Sequence, residues 1–260
     1  MVITPEKKRI ATTFGLKAST YDANAPFQAR LLRLLLPSIE SVATKDGRWI
    51  DLGCGTGLLK ALDRDGIIGC YTGLDIAFNP LTVLQKKPIS RVSLIQGDID
   101  HLPMKPGSFE GAVAASSLQW LDDLAAVLSE IASVLSENGH LAFSMFIDGA
   151  FAELFKTRSK FGLPQSIFCP GPDRLKELVT RAGFDFVNSE TIEEKHFFPD
   201  ALAVLRSISR MGGSATNGRK LTRRELEEFC RYYTDTFDNQ NGVPLTYRAM
   251  VGLCKKRPLS

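Results

Sequence analysis

With 260 residues, 44% of them hydrophobic and 23% charged, the chain has the make-up of an ordinary globular protein, large enough for one α/β domain with a sizeable core, and disorder is not expected outside the termini. The five cysteines (Cys54, Cys70, Cys169, Cys230, Cys254) and three histidines (His101, His140, His196) are scattered and form no Cys-x-x-Cys pair, which argues against a disulfide framework, a zinc site or other metal chemistry. The formal net charge of +3 hides an uneven distribution, because residues 201–224 carry six basic side chains (Arg206, Arg210, Arg219, Lys220, Arg223, Arg224) and no acid.

No apolar run of signal-peptide or membrane-spanning type follows the N-terminus, so a cytoplasmic protein without membrane contact is expected. Thr4 before Pro5 is a helix-opening pair, and a helix is predicted over 5–17. Residues 21–26 read as a turn. A second helix follows with Phe27, Leu31, Leu34, Leu35, Ile39 and Val42 on its apolar face. Beyond it, short apolar strands alternate with helical segments, the pattern of a mostly parallel sheet covered on both faces. Strands are predicted at 48–52, 70–76, 92–96, 109–115 and 140–145, and a helix at 121–135. A helix over 173–182, ended by Gly183, precedes a strand at 184–192. Asp200 caps a helix running to about Met211, and Gly212, Gly213, Ser214, Asn217 and Gly218 mark a loop. The capping box Thr222 to Glu225 opens a helix ending near Phe237, and a last strand spans 245–254 after the turn Asn241-Gly242. The whole chain reads as a single domain, with a helical lid (1–44), a core (45–147) and a second half (148–260) carrying a helical insertion near 199–237.

The segment Asp51-Leu52-Gly53-Cys54-Gly55-Thr56-Gly57 runs from a strand into a helix. Glycines there let the backbone turn tightly and approach a ligand with no β-carbon in the way. The spacing Gly-x-Gly-x-Gly, preceded by an acid, differs from the Gly-x-Gly-x-x-Gly of dinucleotide sites. Asp75 ends the second strand, where a carboxylate can accept both hydroxyls of a ribose, and Asp98 follows the third, where it can face an adenine amine. Three acids after three successive strands converge on the crevice where open α/β sheets bind ligands.

At these residues the chain resembles the class I S-adenosylmethionine-dependent methyltransferases, with a Rossmann-like fold of about seven strands. The resemblance places Asp51, Gly53, Cys54, Gly55 and Gly57 beneath the methionine moiety, Asp75 with Ile76 at the ribose, and Asp98 with Ile99 at the adenine, with Cys54 filling a small space. A narrower resemblance covers nearly the whole chain. Phe14, Ala18, Tyr21, Ala25 and Gln28, then Ser116-Ser117-Leu118-Gln119-Trp120, Arg206-Ser207, Gly212-Gly213 and Pro244-Leu245-Thr246-Tyr247 resemble the malonyl-acyl carrier protein O-methyltransferase family of biotin synthesis. It departs at Glu110, where the family has Asp, and at Leu81, where Met is common. Both positions are expected to pack or cap.

The resemblance implies S-adenosylmethionine as cofactor and methyl transfer to the free carboxylate of a malonyl thioester, on acyl carrier protein or coenzyme A. Gln28, Ser116, Gln119 and Trp120 join the cofactor set, although Trp120 can equally pack under the sheet end. Tyr21 and Arg206 are the candidate catalytic residues: Tyr21 as a lid residue near the acceptor, or else a core tyrosine, and Arg206 as a guanidinium fork for the malonyl carboxylate. Arg219, Lys220, Arg223 and Arg224 would attract the acidic carrier, unless the block is only a solvated helix face. Two further readings stay open: a small-molecule methyltransferase of the quinone-biosynthesis kind, and a cofactor-binding protein without turnover. A nucleic-acid amino-methyltransferase is disfavoured, since no Asn/Asp-Pro-Pro-aromatic signature follows the fourth strand.

Overall fold

A computed structural model describes residues 4–63, 66–165, 167–213 and 221–258. Three helices come first: α1 (Pro5–Lys17), α2 (Tyr21–Asn24) and α3 (Pro26–Glu40). The alternating region follows as β1 (Arg48–Leu52), α4 (Leu58–Leu62), β2 (Cys70–Asp75), α5 (Phe78–Gln85), β3 (Val92–Gln96), β4 (Phe109–Ala115), α6 (Leu124–Val134) and β5 (Leu135–Phe146). A 3-10 turn, Leu118–Trp120, lies between β4 and α6. The chain closes with α7 (Ala152–Lys160), α8 (Pro172–Arg181), β6 (Phe184–Phe198), α9 (Ala201–Arg210), α10 (Arg223–Phe237) and β7 (Val243–Lys256).

The seven strands form one sheet in the order β3-β2-β1-β4-β5-β7-β6, parallel except for β7, which runs antiparallel to both β5 and β6. Alternation along each strand splits the core into two layers. Trp49, Val113 and Ala142 face the layer under α3, while Ile50, Ala112 and Leu141 face the layer under α6 and α8. The strand order reverses between β1 and β4, which run parallel, so the crevice above their carboxyl ends is the switch point of the sheet.

The caps act as their sequences predict. Thr4 accepts from the Lys7 amide, Asp200 from the Ala203 amide, and Thr222 with Glu225 makes both bonds of a capping box. Gly183 has φ +94°, as a left-handed helix end requires. Several expectations need correction. Residues 21–24 make one helical turn before the break at Ala25. Leu34 sits at the edge of the α3 stripe and stays 38% exposed, while Leu32 is buried in its stead. β5 starts at Leu135, where a helix end was expected, because Leu135 pairs with Phe109. β6 continues past Ile192 through Glu193, Glu194 and Lys195, charges that suit a solvent-facing edge strand. The expected loop residues Ser214, Asn217 and Gly218, and the basic residues Arg219 and Lys220, lie outside the described residues.

The two family departures behave as expected of packing and capping positions. Leu81 is buried, and Glu110 takes the Arg48 backbone amide and guanidinium. No helix among the described residues is long and apolar enough to cross a membrane.

Candidate active site

β1, β2 and the loop after β3 bring Asp51, Asp75 and Asp98 to one cavity, and all three are buried. The Tyr71 hydroxyl on β2 donates to Asp51 Oδ2 at 2.7 Å. Asp75 accepts the Gly55 amide on Oδ2 at 2.9 Å and the Ala77 amide on Oδ1 at 2.8 Å, so one carboxylate fixes both the glycine turn and the start of α5. Asp98 Oδ1 accepts from Lys7 Nζ at 2.9 Å, and the same ammonium reaches Asp100 Oδ2 at 2.7 Å. Lys7 is the one buried residue of α1, and its ion pairs tie this helix to the loop after β3.

Burial raises the carboxyl pKa of Asp51 to about 7, helped by the charge of Asp75 and opposed by the Tyr71 bond. Asp75 is also raised by burial, against the pull of its two backbone bonds. Burial works against the Lys7 ammonium too, but Asp100 and Asp98 outweigh it and raise its pKa. The cavity wall carries three acids, Asp51, Asp75 and Asp98, against one lysine, Lys7, and the excess favours a cationic ligand. This gives a pH prediction. A ligand cation stabilises ionised Asp51 and lowers its pKa from about 7, so binding below that pH must release a proton. Affinity for a sulfonium cofactor is expected to rise with pH through this range and level off above it. Calorimetry near pH 6.5 in buffers of different ionisation heat reads the released protons; equal heats in all buffers would exclude the linkage.

The glycine turn is shaped for close approach. Gly53, Gly55 and Gly57 all have positive φ. A β-carbon on Gly53 would stand 2.7 Å from Ser117 Cβ, and one on Gly57 2.2 Å from Leu84 Cδ1, whereas above Gly55 there is open space. That cradle, the acidic charge and about 1070 Å³ of space including the mouth suit a nucleoside-sized cation such as S-adenosylmethionine. At the end of β4, Ser116 adopts φ +56°, uncommon for a residue with a side chain. The Gln119 amide Nε2 donates to its carbonyl at 2.7 Å, and Gln119 Oε1 is buried without a partner.

Residues of the N-terminal helices α1, α2 and α3 wall this cavity. Phe14 packs edge-on against Tyr21 and Trp120, with ring centroids 6.0 and 5.5 Å apart. Asp22 of α2 accepts the Thr56 hydroxyl of the glycine turn. Gly212 has φ +90°, and a β-carbon there would meet Phe14 Cε1 at 2.7 Å, so the glycine after α9 is what lets that end approach the lid. A second cavity of about 500 Å³ adjoins the first and shares Phe14, Tyr21, Gln28, Ser116 and Trp120 with it. The rest of its wall is mainly aromatic and aliphatic: Phe146, Phe151, Leu154, Phe155, Ile208 and Met211.

Of the residues singled out in the sequence, Asp51, Gly53, Cys54, Gly55, Asp75 and Ile76 line the larger cavity. Asp98, Ile99, Ser116, Trp120, Tyr21 and Gln28 line it too, while Gln119 lines the second. Gly57 lies behind the wall against Leu84. Arg206 is not brought to either cavity. Val204, Ile208 and Met211 face inward at helical spacing, and Arg206, two residues from Val204, points to the opposite, exposed side. Arg223 and Arg224 are not free of acids either, since they pair with Glu227 and Glu228 one turn on. Lys7, Tyr71 and the Asp22–Thr56 bond are not legible in the sequence. Their partners lie 91, 20 and 34 positions away, and no local spacing announces them.

The sequence profile of the family described as a methyltransferase domain matches residues 50–143. Over its length the chain is similar to the malonyl-[acyl-carrier protein] O-methyltransferase of Geobacter sulfurreducens, with 31% identity covering 96% of this chain and 99% of that one. The protein of the same name from Methylococcus capsulatus is 26% identical, covering 97% and 95%. Among solved structures, a methyltransferase-type protein of Bacillus halodurans matches with a TM-score of 0.65 at 14% identity, covering 87% of this chain and 99% of that one, which shows the shared fold. The chain is thus an S-adenosylmethionine-dependent methyltransferase with the Rossmann-like class I fold, and it belongs to the malonyl-[acyl-carrier protein] O-methyltransferase family.

Proposed function

We propose that this protein methylates the free carboxylate of a malonyl thioester carried on acyl carrier protein, a step of biotin synthesis, with malonyl-coenzyme A as an alternative carrier. The observation that carries the reading is the pair of joined cavities, one lined by the buried carboxylates Asp51, Asp75 and Asp98, the other by aromatic and aliphatic side chains with no acid among its described residues. In this assignment Asp75 with Ile76 holds the ribose, and Asp98 with Ile99 faces the adenine. Asp51 and the turn Gly53, Cys54, Gly55 and Gly57 lie beneath the methionine part, flanked by Ser116, Gln119 and Trp120. Arg206 belongs to the outer face, with Arg210, where exposed guanidinium groups attract an acidic carrier.

The cofactor, when bound, supplies an electrophilic methyl group on a sulfonium. A carboxylate of pKa about 4 is already ionised at neutral pH, so the protein needs no general base. Its work is alignment and exclusion of water, and well-oriented reactants can gain about 7–11 kcal/mol in this way. Burial pushes the Tyr21 phenol well above its usual pKa, with Asp22 and Asp75 adding to the effect, so it stays protonated and keeps an O–H to offer the acceptor.

Replacing Tyr21 by Phe is expected to lower kcat about tenfold, the worth of roughly one such donor, with the affinity for S-adenosylhomocysteine within about twofold of the wild type. Steady-state kinetics beside calorimetry measure the split, and equal loss in both would move Tyr21 to the cofactor. Assays with malonyl-carrier, malonyl-coenzyme A and a phenolic acceptor test the substrate class. Turnover of the phenol alone would overturn the malonyl reading.

A further inference from the structure

A carboxylate is commonly held by the fork of an arginine, and Arg206 is the residue the sequence offers. Yet the described residues lining the second cavity include no Lys, Arg or His. Two of its polar side chains are already committed. The Ser116 hydroxyl lies 3.3 Å from the Ser144 hydroxyl, and Gln119 Nε2 is drawn to the Ser116 carbonyl at 2.7 Å, while its buried Oε1 is an acceptor that repels an anion.

Gln28 is different. It lines both cavities beside Tyr21 and Trp120, at the junction where an acceptor oxygen has to meet the methyl group. Its Oε1 is buried with no partner, and Nε2 touches only the Met211 thioether at 3.6 Å, a weak acceptor. The amide therefore has no strong bond within the protein in either flip. Its position is nevertheless fixed, because Phe27 and Leu31 on the same turns of α3 are buried, with Phe27 packed on Phe146 and Tyr247.

We propose that Gln28 is the anchor of the acceptor carboxylate, its Nε2 donating to one oxygen and leaving the other free to attack. The assignment deepens, and rests on, the malonyl reading above. A neutral donor in an apolar wall orients the anion without neutralising it, so the attacking oxygen keeps the electron density that a guanidinium would draw off. In the step itself the new O–CH3 bond forms as the C–S bond breaks, the electron pair stays on sulfur, and no proton moves. The product ester has lost the charge that strengthened the Gln28 bond, which favours its release.

The test uses the full-length protein saturated with S-adenosylhomocysteine, so that malonyl-coenzyme A binds without reacting, with its affinity read by calorimetry. Gln28→Glu is expected to weaken malonyl-coenzyme A binding about thirtyfold at neutral pH, because two anions then face each other. Binding should recover as the pH falls and the introduced carboxyl protonates into a donor shaped like the amide. Gln28→Met should lose the same affinity with no recovery. Asp51 and Asp75 are the acids of the adjoining cavity whose pKa burial raises, and Tyr21 stays protonated, so the wild-type pH profile is the control. Affinity for S-adenosylhomocysteine should stay within about twofold in both variants, with unchanged melting curves as the check on folding. Wild-type malonyl binding in Gln28→Glu, a loss independent of pH, or an equal loss of S-adenosylhomocysteine affinity would overturn the anchor. Failure of the wild type itself to methylate any malonyl thioester would instead remove the reading on which it rests.

Discussion

Asp75→Ala is expected to lower the affinity for S-adenosylhomocysteine by about a hundredfold or more. Two charge-assisted hydrogen bonds to ribose hydroxyls are lost, each worth about 1.5–3 kcal/mol. The free protein adds a second cost, because Asp75 also holds the Gly55 and Ala77 amides, and its removal leaves both donors without their acceptor. The glycine turn then loses the bond that fixes it under the ligand. Asp75→Asn keeps one carbonyl acceptor and should lose about tenfold. Calorimetric titration of both variants measures the series. An affinity unchanged in Asp75→Ala would place the ribose elsewhere.

Gly111→Ala should destabilise the fold by about 3 kcal/mol, the upper range for forcing a methyl group into a packed core. Gly111 pairs in register with Trp49 across the β4–β1 ladder, and its missing side chain is filled by the indole. A β-carbon at Gly111 would stand 2.4 Å from three ring atoms of Trp49, itself only 1% exposed. A rigid ring held on all sides has no alternative position, so the strands must separate. At about 2–4 °C per kcal/mol, the melting midpoint should fall by about 6–12 °C. β1 and β4 frame the switch point, so their displacement also moves Asp51 against Ser116, and cofactor affinity should drop with stability. A melting curve superimposable on the wild type would show that the ring has room to move.

Much of this architecture is legible in the sequence because the signals are local. Thr4-Pro5, Asp200 and the Thr222–Glu225 box announce helix starts through bonds made within three residues, and β1 to β4 stand out as short apolar runs with turns around them. The acids at the strand ends can be placed for the same reason, since strand order fixes where Asp51, Asp75 and Asp98 emerge. What stays hidden depends on distant contacts. Lys7 reads as one of several lysines in a polar helix until the fold sets it between Asp98 and Asp100. Arg206 reads as an anchor because composition gives no direction, whereas helical phase relative to Val204 turns it outward. A stretch counted from 201 to 224 contains no acid, yet two of its arginines find Glu227 and Glu228 just beyond that boundary.

The central claim is that the two joined cavities unite a sulfonium cofactor with a malonyl carboxylate. Intact-mass spectrometry of malonyl-acyl carrier protein, incubated with S-adenosylmethionine and the purified protein, tests it most directly. The account predicts a gain of one methyl group on the malonyl carrier, reversed by mild ester hydrolysis and absent with the unloaded or acetyl-loaded carrier. A malonyl carrier of unchanged mass, with the cofactor bound and the protein folded, would contradict it.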